Sequence, residues 1–460
     1  MKAIIPIFES NSARALYLQL YDFIKAAILA QEIVPGEKLP SLRNLSSSLK
    51  LSLTTIELAY SQLAVEGYIY SKPQSGYFVS SMFYPEKEEN HGESVMSRTI
   101  GEQEPKLSYD LSCFDFNRWK KCLNKVLTDH VHLLLFESDP QGEESLRFEI
   151  SKYVYHSRGV KCTPEQVVIA AGTQQITAHL STILNKMGIG HVAVEDPGYL
   201  PVKSIFRDRG FAITPVAVKP DGIDIEKLPA NIRSAVYVSP SNQFPTGAVT
   251  PVGRRYQLLS WAEKNNSYII EDDYDSELRY FGKPVPALQG LDTRDRVVYL
   301  GSFSSTLFAS IKISYMVLPE DMAKIFDEIR KDYAQTCSKA EQLTLALFME
   351  KGYYQTGIKK LRRLYAQKLA ATAEALGKNP YITPVNTSSG VNMIINVNSE
   401  KSARLLCEEA RSIGILTLPV VSYTEKSPAT SLIFYYNQLQ LSEIPTKIEG
   451  LCQLWFENKR

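Results

Sequence analysis

From Tyr109 to Arg460 the chain repeats one pattern, in which a short apolar run ends in small or acidic residues and a helical segment follows. The runs read QVVIAAG, HVAVEDP, SAVYVSP, SYIIEDD and RVVYLGS. Continuous apolar runs of this length are typical of strands that are buried on both faces of a sheet. Strands that alternate with helices form a mostly parallel sheet, whose functional loops lie at the carboxyl ends of the strands. Residues 109–460 are therefore predicted to form an α/β domain with its site at one sheet edge.

The rest of the chain divides into two regions. Residues 1–80 contain short amphipathic helices and then a hairpin-like segment, whereas residues 81–108 lack apolar periodicity and are rich in Glu, Ser and Gly. The second composition is typical of a flexible linker. A length of 460 residues also exceeds that of one ordinary domain. The predicted organisation is an N-terminal domain over 1–80, a linker over 81–108 and the α/β domain over 109–460.

Several classes of protein are disfavoured by what the sequence lacks. No run of about 18 apolar residues occurs, so no membrane span is predicted, and the first residues are too charged and polar for a secretory signal. The six cysteines are scattered without a CxxC pair, which argues against a disulfide framework and a zinc site. The net charge of +1 favours no class of partner. These features predict a cytoplasmic protein.

The N-terminal region has the pattern of three helices and a hairpin. One face of LQLYDFIKAAI is apolar, Ser41 is a candidate N-cap of the next helix, and LSLTTIELAYSQLAVEGY follows as the third helix. The segment IYSKPQSGYFVS then has the pattern of two short strands around a Pro-Gln-Ser-Gly turn. Three helices and such a wing predict a mainly α winged helix-turn-helix, whose third helix enters the major groove of DNA.

This region, from LYLQL through PGEKLPSLRNLSSSLKLSLTTIELAYSQLAVEGYIYSKPQSGYFV, resembles the DNA-binding domain of the GntR superfamily over its whole length. The resemblance implies that double-stranded DNA is contacted by the second helix, by the third helix with the turn that precedes it, and by the wing. The implied contact residues are Arg43, Ser52, Thr54, Thr55, Tyr60, Lys72 and Gly76. One position departs from the family, which usually has Arg where this chain has Leu53.

The charge of this region is low for a DNA-binding domain. Residues 1–80 contain seven basic and six acidic side chains, whereas non-specific affinity normally comes from Lys and Arg on phosphates. Hydroxyls and backbone N–H groups would have to supply more of the phosphate contacts. We therefore predict weak non-specific DNA binding with a shallow dependence on salt. A winged helix that docks a protein instead of DNA is the alternative.

Two loops of the α/β region offer groups for a phosphate and for a flat ring. AAGTQQ follows a strand and opens a helix, so Gly172, Thr173 and Gln174 could donate to a phosphate at a helix N-terminus, although many α/β proteins have such a turn. In VEDPGYL, Tyr199 comes directly after a strand. Its ring either stacks on a flat cofactor or packs as an ordinary surface tyrosine. The chain has 26 tyrosines, which favours the second interpretation for any one of them.

A third loop is acidic. The segment IIEDDYDSELRY ends a strand with Asp272 and Asp273, and Tyr274 follows. A carboxylate at this place can pair with a protonated ring nitrogen, and a phenol can form a hydrogen bond with a ring oxygen. Helix capping and metal binding are the alternatives. Because no histidine accompanies these residues, no metal site is predicted.

In their order and spacing, GTQQ, EDPGY, PSNQFPTG, IIEDDYDSELRY and GSFSSTL resemble the motifs of the fold-type I aminotransferases. Nearly the whole chain resembles the MocR/GabR regulators, in which a GntR-type DNA-binding domain is fused to an aminotransferase-like domain. The resemblance implies pyridoxal phosphate as cofactor, with Asp272 at the pyridine nitrogen, Tyr274 at the phenolic oxygen and Tyr199 on the ring face. The residues implied to lie near the phosphate are Gly172, Thr173, Ser302 and Ser304.

Three positions depart from that family pattern. The family has Ser-Phe-Ser-Lys-Thr-Leu, whose lysine forms the Schiff base with pyridoxal phosphate, and this chain has Ser305 at the lysine position. A hydroxyl cannot form an imine, so no catalytic residue is predicted there. Lys312 replaces a phosphate-binding Arg, which keeps the charge but loses the bidentate geometry. Gln438 lies in SLIFYYNQLQ, where GabR-like proteins place an Arg for the ligand's carboxylate.

The leading hypothesis is a cytoplasmic, homodimeric, DNA-binding transcriptional regulator whose aminotransferase-like domain senses a small molecule. That effector is pyridoxal phosphate or a pyridoxyl compound held without a covalent bond, an amino acid, or another ligand, and a site without any cofactor stays open. One alternative is a competent pyridoxal-phosphate-dependent aminotransferase with an appended DNA-binding domain, in which Lys312 would supply the covalent amine. The other is a ligand-free dimer that bridges two DNA sites.

Overall fold

The computed structural model describes residues 15–30, 32–72, 75–80, 113–280, 285–385, 387–422 and 430–456. The chain divides into two compact units, Met1–Gln103 and Glu104–Arg460. The linker predicted over residues 81–108 lies outside the described residues, so the predicted domain limits stay a prediction.

The first unit is a small helical domain with a two-stranded wing. Its elements are α1 (Leu16–Leu29), α2 (Leu42–Leu49), α3 (Leu53–Val65), β1 (Ile69–Lys72) and β2 (Gly76–Val79). Ser41 and Ser52 cap α2 and α3, because each serine oxygen accepts a hydrogen bond from the N–H three residues later. The strands pair antiparallel, with Ile69 opposite Val79. The predicted winged helix-turn-helix is confirmed.

The second unit is built on an eight-stranded sheet. Its strands are β3 (Val167–Ala171), β4 (His191–Asp196), β5 (Ala212–Lys219), β6 (Gly222–Ile223), β7 (Ala235–Val238), β8 (Tyr268–Asp272), β9 (Val297–Ser302) and β10 (Ile313–Val317). In space the order is β3-β10-β9-β8-β7-β4-β5-β6. From β9 to β5 all neighbours run parallel, while β10 and β6 run antiparallel to their neighbours. The mostly parallel sheet and all five of its predicted apolar runs are confirmed.

Helices cover both faces of this sheet, which explains why its strands are continuously apolar. The helices are α4 (Phe116–Asp129), α5 (Glu144–Arg158), α6 (Gly172–Lys186), α7 (Leu200–Asp208), α8 (Val252–Lys264), α9 (Leu288–Leu291), α10 (Glu320–Ile329) and α11 (Lys339–Glu350). Along β3, Val167 and Ile169 pack in one core cluster, and Val168 and Ala170 pack in the other. Side chains of a strand alternate between faces, so both faces must be apolar when both are covered.

A second, smaller sheet completes this unit. Its order is β11-β12-β14-β13, all antiparallel, with β11 (Ile382–Pro384), β12 (Met393–Val397), β13 (Thr417–Pro419) and β14 (Thr430–Phe434). It shares a core with α12 (Tyr353–Gly377), α13 (Ala403–Ser412) and α14 (Ile444–Phe456). Within the described part of the chain, no helix has the length and apolar character that crossing a membrane requires.

Candidate functional site

Three strands end at the same edge of the large sheet and enclose an open cavity of about 500 Å³. Ala171, Asp272 and Ser302 are the last residues of β3, β8 and β9, and β10 enters the sheet there with Ser314 paired to Ser302. The cavity brings together every residue predicted for the cofactor, and Ser305 lies among them. The lining includes Gly172, Thr173, Gln174, Tyr199, Asp272, Tyr274, Ser302, Ser304, Ser305 and Lys312.

One end of the cavity has the donors that a phosphate needs. Gly172 is the first residue of α6, with φ +79°, a left-handed conformation that suits glycine. A Cβ on Gly172 would lie 4.0 Å from Cδ of Lys312, so the lysine stem passes beside this helix terminus. The Ser314 hydroxyl donates to the Ser302 hydroxyl (3.0 Å), and the Ser304 N–H donates to the same oxygen (3.3 Å). First-turn N–H groups, hydroxyls and one cation form a cradle suited to an anion.

The middle of the cavity contains a buried carboxylate. Asp272 accepts hydrogen bonds from the Tyr237 hydroxyl and from the Tyr274 N–H (3.3 Å). Burial raises the pKa of Asp272 to about 6, although these two hydrogen bonds oppose the shift. A carboxylate held in this way is ready to pair with a protonated nitrogen of a ring. Sequence reasoning missed Tyr237, although a tyrosine inside the otherwise apolar stretch AVYV was a usable signal.

Aromatic side chains form one wall. Tyr199 lines the cavity and is 40% exposed. It packs edge-on against Phe244, with ring centroids 6.0 Å apart, and Phe244 packs against Tyr274 at 6.3 Å. The two rings are nearly perpendicular, and the contact of Tyr199 with a flat ligand ring stays a prediction.

Behind the cavity, a buried ion pair fixes the acidic loop. The Arg158 guanidinium donates to Asp273 from Nε (2.6 Å) and Nη2 (3.1 Å), and the Tyr299 hydroxyl donates to the same carboxylate (2.7 Å). Arg158 also donates to the Ser241 hydroxyl (2.7 Å). Burial alone would raise the pKa of Asp273, but the charge and hydrogen bonds of Arg158 lower it below its usual range. Asp273 therefore has a structural role next to Asp272.

A second acid faces the cavity beside Ser305. Asp275 is 3% exposed and lies in the left-handed region with φ +56°. Neither of its carboxylate oxygens accepts a well-formed hydrogen bond from a described residue. Burial raises the pKa of Asp275 to about 7, and the nearby Ser305 hydroxyl and Val391 N–H only moderate that shift. Sequence reasoning did not assign Asp275 a role, although it lies in the quoted segment IIEDDYDSELRY.

The far wall comes from the small sheet and its connections. Val391, Asn392 and Tyr435 line the cavity there. Gln438, which stands where GabR-like proteins place an Arg, is not part of the lining and lies in a one-turn helix over Tyr436–Gln438. The turn after β14 brings Tyr435 to the cavity. Of the described residues that line the cavity, Lys312 is the single basic one.

The described residues offer no site for a metal ion. They contain no group of three or more His, Cys, Asp or Glu side chains placed to hold an ion. The carboxylates of Asp272 and Asp273 are instead engaged by tyrosine hydroxyls and Arg158.

In the N-terminal domain, most of the predicted DNA contacts lie on the surface. Arg43, Ser52, Thr54 and Lys72 are exposed, while Thr55 and Gly76 are partly buried. Tyr60 is fully buried: it packs edge-on against Tyr77, and its hydroxyl donates to the Pro40 carbonyl (3.0 Å). The expected contact between Tyr60 and DNA is therefore wrong for this conformation, because its side chain belongs to the core.

The exposed face of α3 carries no positive charge. It presents Leu53, Thr54, Glu57, Leu58 and Ser61. Of the basic residues nearby, Lys25 forms an ion pair with Glu66 (3.2 Å). Few cations therefore remain in the described part of this domain to contact DNA phosphates.

Comparisons with known proteins agree with this architecture. The family described as "Bacterial regulatory proteins, gntR family" matches residues 16–79, and "Aminotransferase class I and II" matches residues 108–427. An uncharacterized HTH-type transcriptional regulator of Bacillus subtilis, YdeL, is 38% identical over 98% of this chain and 99% of its own length. The chain belongs to the HTH-type transcriptional regulators that join a GntR domain to an aminotransferase domain.

Other relatives of this regulator have more specific names. The HTH-type pyridoxine biosynthesis transcriptional regulator PdxR of Corynebacterium glutamicum is 30% identical over 91% of the chain and 89% of its own length. The probable rhizopine catabolism regulatory protein MocR of Rhizobium meliloti is 29% identical over 92% and 90%. Among solved structures, the kynurenine aminotransferase of Pyrococcus horikoshii superposes with a TM-score of 0.67 at 20% identity, covering 82% of this chain and 98% of that one. The regulator thus has the fold predicted for its larger domain.

Salt dependence is the simplest test of the regulator's DNA interface. Substituting Leu53→Arg adds a cation at the start of α3, where Leu53 is 45% exposed. We expect wild-type non-specific binding to be weak, and L53R to strengthen it and steepen the slope of log K against log salt by about 1. Fluorescence anisotropy with random-sequence DNA over a salt series measures both slopes.

The matched control is Val65→Arg, which adds the same charge at the last residue of α3, where the side chain is 86% exposed. It should leave the slope unchanged. A steep wild-type loss of affinity between low and physiological salt would contradict the prediction.

Proposed function

We propose that this protein is a cytoplasmic, homodimeric transcriptional regulator that senses a phosphorylated pyridine, of the pyridoxal phosphate class, without a covalent bond. One observation carries the proposal: a single cavity combines an anion cradle at the start of α6, a buried carboxylate at Asp272 and the hydroxyl of Ser305. The first two groups fit the phosphate and the ring nitrogen of such a ligand. The third cannot form the covalent bond.

The residues present fit the cofactor that the aminotransferase fold implies. The cradle of Gly172, Ser302, Ser304 and Lys312 suits a phosphate. The open cavity of about 500 Å³ is large enough for a drug-sized ligand. When bound, pyridoxal phosphate supplies an aldehyde and an electron-withdrawing ring. The protein's own part is to hold the phosphate, to keep Asp272 ionised against a protonated ring nitrogen and to cover one ring face with Tyr199.

Covalent attachment is disfavoured by the position of the one amine in the described lining. Lys312 follows a one-turn helix over Ala309–Ile311, and its stem passes beside Gly172 at the anion cradle. An ammonium there balances phosphate charge. This supports sensing over the alternative of a competent aminotransferase that uses Lys312.

A bound ligand changes transcription only by stabilising one arrangement of the regulator more than another. The relevant arrangements are those of two DNA-binding domains in a dimer. A ligand that bound both arrangements equally would have no effect on DNA affinity. The proposal therefore requires that ligand and operator change each other's affinity by the same factor.

The test measures DNA binding and ligand binding on the full chain. Genomic fragments captured by the purified protein should form a small set of specific sites, and pyridoxal phosphate should change the affinity for them at least about threefold. Substituting Asp272→Ala should weaken ligand binding at least about tenfold, because a charge-assisted contact is lost. Isothermal titration calorimetry and anisotropy on an identified operator give the two affinities.

Two outcomes would replace this proposal by its alternatives. Turnover of an amino donor by the purified protein would make it an enzyme. No thermal shift and no change in DNA affinity with pyridoxal phosphate, pyridoxamine phosphate or amino acids would favour a ligand-free dimer that bridges DNA sites.

A further inference from the structure

The cavity contains one buried acid that the proposed function does not use. Asp275 lines the cavity and is only 3% exposed. Neither of its carboxylate oxygens accepts a well-formed hydrogen bond from a described residue. A buried carboxylate whose oxygens lack well-formed hydrogen bonds is costly. Such a group needs an explanation, and a ligand atom that completes it is one.

The neighbours of Asp275 define what that atom must be. The Ser305 hydroxyl lies close enough to influence the carboxylate, as does the Val391 N–H, and Asp272 and Glu277 add negative charge from the same loop. Burial holds the pKa of Asp275 near 7, so a cation that arrives beside it would stabilise the ionised form. The ligand group that contacts Asp275 is therefore a hydrogen-bond donor with a positive charge.

The anion cradle of the same cavity determines the rest of the ligand. The anion cradle around Gly172 includes Lys312, the single basic side chain among the described lining residues. With that cation at the phosphate, the described lining offers no second one for a carboxylate. The favoured ligand therefore has one phosphate and one amine.

Resting on the proposed function, we propose that the site selects a phosphorylated pyridine with its own protonated aminomethyl group, which donates to Asp275 and to the Ser305 hydroxyl. Pyridoxamine 5′-phosphate is the simplest such compound. The amine comes with the ligand and no bond to the protein forms. An aldehyde or alcohol in the same place brings no charge to Asp275.

The test compares three ligands that differ in one substituent. Calorimetry at neutral pH measures the affinity of the full chain for pyridoxamine phosphate, pyridoxine phosphate and pyridoxal phosphate. We expect pyridoxamine phosphate to bind at least about tenfold more tightly than pyridoxine phosphate, since charge-assisted hydrogen bonds are roughly twice as strong as neutral ones. This comparison needs no substitution, so it does not depend on a variant that folds.

Substituting Asp275→Asn assigns the effect to one residue. In D275N the ratio between pyridoxamine and pyridoxine phosphates should fall below about threefold, because the charge is gone. Asp224→Asn is the matched control: Asp224 is also a buried aspartate (7% exposed), it forms an ion pair with Lys219 (2.9 Å), and it does not line the cavity. D224N should keep the tenfold ratio.

Each result separates the two proposals. Equal affinities for the three compounds would overturn the amine preference and leave the proposed function standing. A preference that survives D275N would overturn the role of Asp275. If none of the three compounds binds, both proposals fail together.

Discussion

Substituting Arg158→Met should destabilise the aminotransferase domain by about 3–5 kcal/mol, the largest stability change that we expect from any single substitution outside the hydrophobic core. Arg158 is 8% exposed, and its partner carboxylate of Asp273 is fully buried. Without the guanidinium, an ionised carboxylate remains in the interior with only hydroxyl groups, those of Tyr299 and Ser241, to satisfy it. Urea unfolding followed by circular dichroism measures the change.

The pH dependence distinguishes a lost ion pair from lost packing. In the wild type the pKa of Asp273 lies below its usual range, so this carboxylate stabilises the fold above the unfolded pKa and the contribution is lost as pH falls. In R158M, burial is no longer opposed by the cation, and the folded pKa should rise above the unfolded value. The penalty should then grow as pH rises from about 4 to about 8.

Two controls complete the test. In R158M/D273N no unpaired charge from this ion pair remains, so the double variant should be more stable than R158M above neutral pH. Arg330→Met removes two ion pairs near the surface, with Asp139 (3.3 Å) and Asp327 (2.8 Å), and should cost less than about 1 kcal/mol because both are open to solvent. A destabilisation by R158M that is equally large at all pH values would contradict the ion-pair explanation.

The acidic loop shows what the sequence can and cannot predict. Asp272, Asp273 and Asp275 lie within four residues of one another, and the motif alone predicts an acidic site. The structure gives them three different states: a pKa of about 6, a lowered pKa and a pKa of about 7. The lowered pKa of Asp273 depends on Arg158, which lies 115 residues from it in the chain. No local pattern indicates such a partner.

Strands and strand-end loops were predictable for a simpler reason. The five apolar runs are buried on both faces, so their composition alone separates them from amphipathic helices. Their carboxyl ends meet at one sheet edge because the strands run parallel, and this brings Gly172, Asp272 and Ser302 together. The contributions of Val391, Asn392 and Tyr435 were not predictable, because they depend on how a second sheet packs against the first.

Tyr60 illustrates the limit of reasoning from resemblance. Tyr60 falls on the same helical face as the apolar Ile56 and Leu63, which predicts an inward side chain, whereas the family pattern implies contact with DNA. Full burial and the hydrogen bond to the Pro40 carbonyl decide between these expectations. Leu53, where the family usually has Arg, differs from Tyr60 because its side chain is exposed, at the start of α3.

Ser305→Lys should convert non-covalent into covalent cofactor binding, the largest chemical change that one substitution can make in this cavity. A carbon–nitrogen double bond forms between the lysine amine and the aldehyde of pyridoxal phosphate, with loss of water. We expect S305K to gain absorption in the visible range, and borohydride to trap the cofactor on residue 305. Absorption spectra and peptide mass spectrometry, with wild type and S305K compared, measure both effects.

Ser305→Met is the matched control, because it supplies similar bulk without an amine and should give no adduct. The wild type should also give none. A reduced cofactor on Lys312 of the wild type would contradict non-covalent sensing and favour the enzyme alternative.

The S305K variant also tests whether Asp275 binds the amine of the ligand. In S305K the ammonium would lie beside the Asp275 carboxylate and supply the charge that the ligand is proposed to bring. Calorimetry should then show that pyridoxamine phosphate loses its advantage over pyridoxine phosphate, because a second ammonium in that corner is repelled. S305M leaves Asp275 without a cation, so a ligand that still fits beside the methionine should keep the preference. A preference retained in S305K would mean that the ligand's amine binds elsewhere, and that serine at this position does not determine which ligand the regulator senses.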